Sequence, residues 1–385
     1  MNITLQPGKL AGFVSAPPSK SMAHRMLICA AFAADEIHLR CPQTSRDIEA
    51  TVDCLNALGA QIRPTAEGYH IRPITEIPES ATLHCGESGS TLRFLLPIVG
   101  ALGVNATFCL EGRLPQRPLS PLWEEMERMG CMLKWLSKNE LQLSGKLQPG
   151  DYTIDGSISS QFVSGLLFAL PLIEGETALQ ITGKAESLPY IEMTRRVIEF
   201  FRKEQPQQIT VEGDWSNAAF FLAANALGSH IAVTNLDHTS AQGDRTICEI
   251  LPFLQYHATI GAADIPDLIP ILSVVAAANR GAVFEDIARL RFKESDRVAS
   301  IIAMLEALGG KAEATENTLT VYGTGLTGGT VDSFGDHRIA MSAAIAATVC
   351  TKPVTVLGAD CVRKSYPKFW DDYAHLGGIY EKYLR

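Results

Sequence analysis

Seven consecutive residues, Arg291-Phe292-Lys293-Glu294-Ser295-Asp296-Arg297, set three cations and two carboxylates directly before an apolar helical run (Val298, Ile301, Ile302, Leu305, Leu308). A helix starting near Ser295 puts Lys293, Glu294 and Arg297 at its N-terminal edge, where backbone N–H groups already favour an anion. Lysine and arginine suit phosphate or carboxylate there, and the glutamate between them can move a proton. One such run alone reads as a solvated cap on a surface helix. This chain repeats the arrangement.

Ser19-Lys20-Ser21 opens a helix with Ser19 as its cap, and Arg25 lies one turn on. Gly86-Glu87-Ser88-Gly89-Ser90-Thr91-Leu92-Arg93 is a glycine-rich turn into the next helix, without the pattern of a P-loop. Arg113 and Arg117 sit on a loop stiffened by Pro115 and Pro118, a setting that suits a carboxylate or phosphate. Ser159, Ser160 and Gln161 head a helix without charge, a neutral site for an anion or sugar hydroxyl. Glu186-Ser187-Leu188-Pro189-Tyr190 precedes another helix, with Ser187 as a plausible cap. Asp267 heads an uncharged helix, where burial of a carboxylate would push its pKa toward general-base work. Asp336-His337-Arg338 opens a further buried helix, with His337 and Arg338 expected to point out of its N-terminal end. Lys364 is expected at the start of the last helix. Jointly, these clusters imply convergence on one polyanionic small molecule or two anionic ones.

The elements that must position them alternate short β-type runs with helices. Those at 26–34, 160–170, 216–227, 267–278 and 337–349 carry almost no charge, so they should be buried on all sides. Helices ending in Leu58-Gly59, Met129-Gly130, Leu308-Gly309 and Leu376-Gly377 share a left-handed glycine cap followed by a strand. Two further helices, ending near Arg202 and Leu254, lack that glycine and have short connections behind them. The reading is six repeats, three per domain, with two abbreviated.

Length and charge agree. A chain of 385 residues suits two domains, and a net charge of −9 argues against nucleic acid and anionic membrane as partners. Nine scattered cysteines without C-x-x-C pairs suggest reduced thiols in a cytoplasmic protein, with neither disulfides nor a metal site. The first residues show no targeting pattern, and no apolar run approaches the roughly 18 residues a membrane span requires.

The motifs P-S-K-S-x-x-x-R, G-x-S-G-S-T-x-R, L-P-Q-R-P, D-G-S-I-S-S-Q-F, V-E-G-D-W-S-x-A, Q-G-D, I-P-D, L-R-F-K-E-S-D-R, D-H-R-I-A-M and K-S-Y-P occur in one order along nearly the whole chain. In this the chain resembles the 5-enolpyruvylshikimate-3-phosphate synthase family. The resemblance implies a mixed α/β (α+β) fold of two similar domains. Each would hold three βαβαββ units in an inside-out α/β barrel, with the active site in the interdomain cleft. One domain would be residues 1–18 plus 214–385, carrying the acid/base and phosphoenolpyruvate residues. The other, 19–213, would carry the shikimate 3-phosphate site.

The implied reaction moves the enolpyruvyl group of phosphoenolpyruvate to the 5-hydroxyl of shikimate 3-phosphate and releases phosphate, a shikimate-pathway step toward aromatic amino acids. The family needs no metal or organic cofactor and is expected to be monomeric. Carried over by motif, Lys20, Ser21, Arg25, Ser159, Ser160, Gln161, Ser187, Asp267 and Lys293 would meet shikimate 3-phosphate. Lys20, Gly89, Arg117, Gln161, Arg297, Arg338 and Lys364 would meet phosphoenolpyruvate. Asp267 would be the base at the hydroxyl and Glu294 the acid at the methylene carbon. Lys20 and Lys364 would stabilise developing charge, and His337 joins this catalytic set.

Where family members usually carry roughly two dozen more residues, between Phe201 and Val211 and again before Asp264, this chain is short. Two other readings compete. A related enolpyruvyltransferase acting on UDP-N-acetylglucosamine typically has a cysteine in the arginine loop, which Gly112–Pro118 lacks. A non-catalytic anion binder would not need both proton-transfer carboxylates.

Overall fold

The structure, a computed structural model, describes residues 1–183 and 187–383. The chain divides into two compact units, Met1–Pro17 with Gly213–Arg385, and Pro18–Glu212. Each has its own apolar core.

The described strands form six sheets, three in each unit. Four sheets share one plan. In the sheet of Ser80–Gly86, Asn105–Leu110, Glu140–Gly145 and Cys131–Ser137, the first two strands run parallel, and the last two form an antiparallel hairpin on the second strand. Between the first and second strands runs helix Gly89–Leu102, and before the hairpin helix Leu122–Arg128. The sheet of Ala258–Gly261, Ala282–Glu285, Thr318–Tyr322 and Lys311–Ala314 repeats this plan. Two further sheets repeat it with strands from distant parts of the chain, Asn2–Leu5 pairing with Val354–Leu357 and Gln208–Thr210 with Ile37–Arg40.

The remaining two sheets stop after the parallel pair. They are Gly150–Asp155 with Thr177–Thr182, and Ala11–Ser15 with His230–Thr234. These are the abbreviated repeats. Measured against the complete sheets, each lacks the whole antiparallel hairpin. Helix Leu188–Glu204 leads almost directly into Gln208–Thr210, and the turns ending at Gln255 lead into Ala258–Gly261. A cavity of about 680 Å³ between Phe253, Tyr256 and Ile260 adjoins one of these junctions, and another of about 280 Å³ between Phe32 and Phe201 adjoins the other.

Left-handed glycines end four helices as the sequence implies: Gly59, Gly130, Gly309 and Gly377 have φ between 83° and 108°. The helices of little or no charge, Ser160–Ala169, Trp215–Ala226, Ile269–Ala278 and His337–Ala346, are buried nearly throughout. Trp215–Ala226, Ile269–Ala278 and His337–Ala346 pack on one another in the first unit, and Gly89–Leu102 packs on Ser160–Ala169 in the second. With no polar face to solvate, these helices form the interior, and the surrounding sheets and amphipathic helices supply the wall. Only their ends reach polar surroundings, so chemistry collects there.

Candidate active site

In the first unit the site is built on one guanidinium. Arg297 is the first residue of helix Arg297–Ala307 and is 1% exposed. Its Nε donates to Asp336 Oδ2 at 2.9 Å, its Nη1 to Asp267 Oδ1 at 2.5 Å and its Nη2 to Glu294 Oε2 at 2.6 Å. Burial opposes the charge of Arg297, but the three carboxylates outweigh it and hold the group above its ordinary value. A lone buried cation would be costly; this one is over-paired.

Asp267 also receives Arg338, whose Nη2 lies 3.4 Å from Oδ2. Arg338 donates to the Ser216 carbonyl at 2.8 Å and to the Ser216 hydroxyl, which ties the first turns of two inner helices together. Asp336 caps helix His337–Ala346 by accepting from the Arg338 N–H at 2.9 Å, and accepts from the Ser295 hydroxyl at 3.1 Å. Lys364 donates to the Gly335 carbonyl at 2.9 Å. Six of the expected residues, Asp267, Lys293, Glu294, Arg297, Arg338 and Lys364, are thus gathered around this turn.

Five local expectations change. Asp267 is not a helix cap: the helix begins at Ile269 after Leu268, and Asp267 turns to the two arginines instead. Nor is its pKa raised. Burial pushes it up, but Arg297, Arg338 and Lys293 overcome this and hold it far below the usual carboxylate range. His337 and Arg338 do not project from the helix end: each is 2% exposed, Arg338 because Ser216 and Asp267 hold it. Lys364 ends the short turn Ala359–Lys364, and the last helix starts only at Phe369, beyond Pro367. Helix Arg297–Ala307 likewise starts after its cap Asp296, leaving Lys293 and Glu294 on the irregular segment before it.

Lys293 carries the other useful shift. Burial, aided by Arg289 and Arg297 and opposed by Asp267, brings its ammonium down to about 8.

The second unit gathers a more cationic set. Ser19, Ser45, Ser88 and Ser159 cap four helices through their side chains. Lys20 Nζ donates to Asp47 Oδ2 at 2.8 Å. Gln161 bridges two helix tips, donating to Ser90 Oγ at 2.9 Å and accepting from Arg93 Nη1 at 2.8 Å. Arg117 lies against Gly89, where an added Cβ would stand 2.7 Å from Arg117 Nη1 and 3.1 Å from Arg93 Nη1. Arg25 is buried over the Phe94 ring, donating to Thr194 Oγ1 at 2.8 Å and to the Ser21 and Tyr190 carbonyls at 2.7 and 2.9 Å. Burial lowers its pKa to about 10.

Ser160 is buried beside its capping neighbour Ser159. Ser187 does not cap its helix through its side chain; it is buried in the left-handed region at φ 55°. Glu186 lies outside the described residues. Arg113 is exposed.

Three residues went unassigned in the sequence: Asp336, Arg93 and Asp47. Asp336 and Arg93 lie within the sequence motifs, one capping an almost wholly apolar helix and the other one turn inside its own. Asp47 gave no signal beyond its place in a first turn. Among the described residues no group of three or more His, Cys, Asp or Glu side chains could hold a metal ion. No described helix is long and apolar enough to cross a membrane.

Comparison with known proteins converges on one family. Residues 5–373 match the family model described as EPSP synthase (3-phosphoshikimate 1-carboxyvinyltransferase). A 3-phosphoshikimate 1-carboxyvinyltransferase of Clostridium kluyveri is 38% identical over 414 residues, covering 98% of this chain and 97% of that protein. Its counterpart in Clostridium beijerinckii is 38% identical over 432 residues, covering 99% of each. Both alignments are longer than this chain, so both relatives carry residues that it lacks. An EPSP synthase structure from Acinetobacter baumannii has the same fold, with TM-score 0.79, 23% identity, and coverage of 99% of this chain and 100% of that one. The enolpyruvyl transferase NikO of Streptomyces tendae superposes with TM-score 0.72 at 17% identity, covering 99% and 98%. With the family model spanning most of its length and relatives at 38% identity from end to end, the chain belongs to the EPSP synthase family.

Proposed function

We propose that this chain transfers the enolpyruvyl group of phosphoenolpyruvate to the 5-hydroxyl of shikimate 3-phosphate and releases phosphate. The observation that carries the reading is the Arg297 hub. Its buried guanidinium binds Asp267, Glu294 and Asp336 in one network beside Arg338 and Lys293. Proton-transfer groups and anion-binding groups are thereby fixed together, which a simple anion binder would not require.

In the proposed mechanism the acceptor hydroxyl loses its proton while its oxygen bonds to C2 of phosphoenolpyruvate, and the methylene carbon gains a proton. The resulting tetrahedral intermediate then loses a proton from that methyl group, and phosphate leaves with the C–O electron pair. Glu294 delivers and retrieves the proton at the methylene carbon. At the hydroxyl, Asp267 accepts the hydrogen bond and orients the oxygen. Its depressed pKa makes it a weak base in the free protein, so Lys293, poised near 8, is the better proton acceptor. Arg297, Arg338, Lys364 and Arg117 hold phosphoenolpyruvate, with Gly89 leaving room for it and Gln161 fixing the turn. Lys20, Ser21, Arg25, Ser159, Ser160 and Ser187 hold shikimate 3-phosphate. Lys20 and Lys364 stabilise charge on the bridging oxygen and leaving phosphate, and His337 lines the same turn.

The reading includes a monomer working without metal or organic cofactor in the cytoplasm, which its nine free thiols suit. The test is phosphate release from phosphoenolpyruvate with each acceptor in turn. Release with shikimate 3-phosphate, undiminished by a chelator, is expected. Release only with UDP-N-acetylglucosamine, or none at all, would replace this reading with one of its competitors.

A further inference from the structure

Four buried polar side chains from three neighbouring segments of the second unit form one hydrogen-bonded chain. His24 Nδ1 and Thr51 Oγ1 are 2.7 Å apart, Thr51 Oγ1 and Thr91 Oγ1 are 2.7 Å apart, and Thr91 Oγ1 donates to Ser88 Oγ at 2.7 Å. None of the four exceeds 1% exposure. His24 lies on helix Lys20–Ala31, Thr51 on Arg46–Ala57 and Thr91 on Gly89–Leu102, which Ser88 caps.

The donors can be ordered. His24 Nε2 is buried without a hydrogen-bond partner, and the His24 and Phe94 rings make a T-shaped pair with centroids 6.5 Å apart. A buried N–H without an acceptor is rarer than an unfilled lone pair, so the proton belongs on Nδ1, directed at Thr51. Burial and the adjacent Lys20 and Arg25 keep the ring neutral. Thr51 then donates to Thr91 and Thr91 to Ser88. Ser88 Oγ also accepts the Thr91 N–H at 3.3 Å, which anchors the first turn of its helix.

Apolar side chains of similar shape would pack here as well. A continuous polar chain does something they cannot, because its directional hydrogen bonds fix one registry between helices that could otherwise slide. The links sit close to the helix tips: His24 is one turn after Lys20, Thr51 one turn after Asp47, and Thr91 two residues after Gly89. Asp47 holds Lys20, and Gly89 lies against Arg117.

We infer that His24, Thr51, Thr91 and Ser88 are positioning residues that lock the Gly89 turn against the Lys20 tip, presetting the site for phosphoenolpyruvate. The inference rests on the enolpyruvyl-transfer reading for its ligand, but not for its geometry.

The test uses the full chain carrying Thr51→Val, which keeps the shape and removes the central hydroxyl, beside Thr51→Ser, which restores it. Kinetics with both substrates are paired with amide hydrogen exchange across residues 86–93. Thr51→Val should raise KM for phosphoenolpyruvate roughly tenfold with kcat within about threefold, and speed exchange at the Gly89–Leu92 amides. Thr51→Ser should return both toward the parent values. If Thr51→Val fails to fold, Ser88→Ala reads the other end of the chain by the same two measurements. A lowered melting temperature with KM and exchange unchanged would overturn the inference, as would Thr51→Ser behaving like Thr51→Val. Should the parent protein form no product with any acceptor, the functional reading fails. Exchange, with calorimetric titration of phosphoenolpyruvate, still decides the positioning role.

Discussion

Arg297 and Asp267 meet at 2.5 Å, guanidinium to carboxylate, although thirty residues separate them in the chain. This contact decides the protonation state of the site. It leaves Asp267 an anion held in place by cations, not the raised-pKa base that a carboxylate at the tip of an apolar helix suggests.

Replacing Asp336 tests what holds Arg297. Asp336 is fully buried, accepts from Arg297 and Ser295, and caps helix His337–Ala346. Asp336→Ala should lower stability by about 3–5 kcal/mol in urea unfolding, mostly because a buried partner of Arg297 is lost. A loss under about 1 kcal/mol, the value of a cap alone, would mean that Glu294 and Asp267 suffice.

Lys293 should show a trade between stability and activity. Folded, it titrates near 8; unfolded, near its ordinary 10.5. Between those values the unfolded chain binds the extra proton, so this group's contribution to stability rises with pH across the window and is least below 8. Lys293→Met should therefore gain up to about 3 kcal/mol at pH 7, a gain that vanishes as the pH approaches 10.5. The same variant should lose about 10²-fold or more in turnover. Paired urea titrations at pH 7 and 10 check the first half, and a phosphate-release assay the second.

The pH–rate profile follows from the same group. If neutral Lys293 takes the hydroxyl proton, kcat/KM should climb with pH and level off above about 8. Lys293→Arg, which cannot deprotonate there, should abolish that rise. A profile flat from pH 6 to 9 would return the base role to Asp267.

Glu294→Gln preserves shape and a hydrogen bond to Arg297 but removes the transferable proton. Turnover should fall about 10²–10⁴-fold with KM values changed far less. Near-normal turnover would remove Glu294 from the acid role.

At Gly89 an added methyl would press on Arg117 and Arg93, both flexible at their far ends. Gly89→Ala should fold normally, because its backbone is ordinary helix, yet raise KM for phosphoenolpyruvate about tenfold or more by displacing Arg117. An unchanged KM would show that Arg117 swings aside at no loss to binding.

The sequence by itself determined the repeat and most of the parts. Glycine caps after Leu58, Met129, Leu308 and Leu376 are local events, requiring only a positive φ at the next residue, and all four formed. Uncharged helices must be buried wherever they lie, so their placement in the cores was legible too. Motifs at their tips named Lys20, Gly89, Gln161, Arg297 and Arg338. Only the tertiary structure decided which of these residues partner one another. The Arg297 hub draws carboxylates from three separate segments, and its competing charges reversed the pKa expected for Asp267. The same holds for the missing hairpins: a short connection reveals that something is absent, but only the four complete sheets show that it is a pair of strands. The physical reason is range. Caps and periodicity are set by neighbours a few residues away, whereas protonation and pairing depend on groups that folding alone brings within a few ångströms.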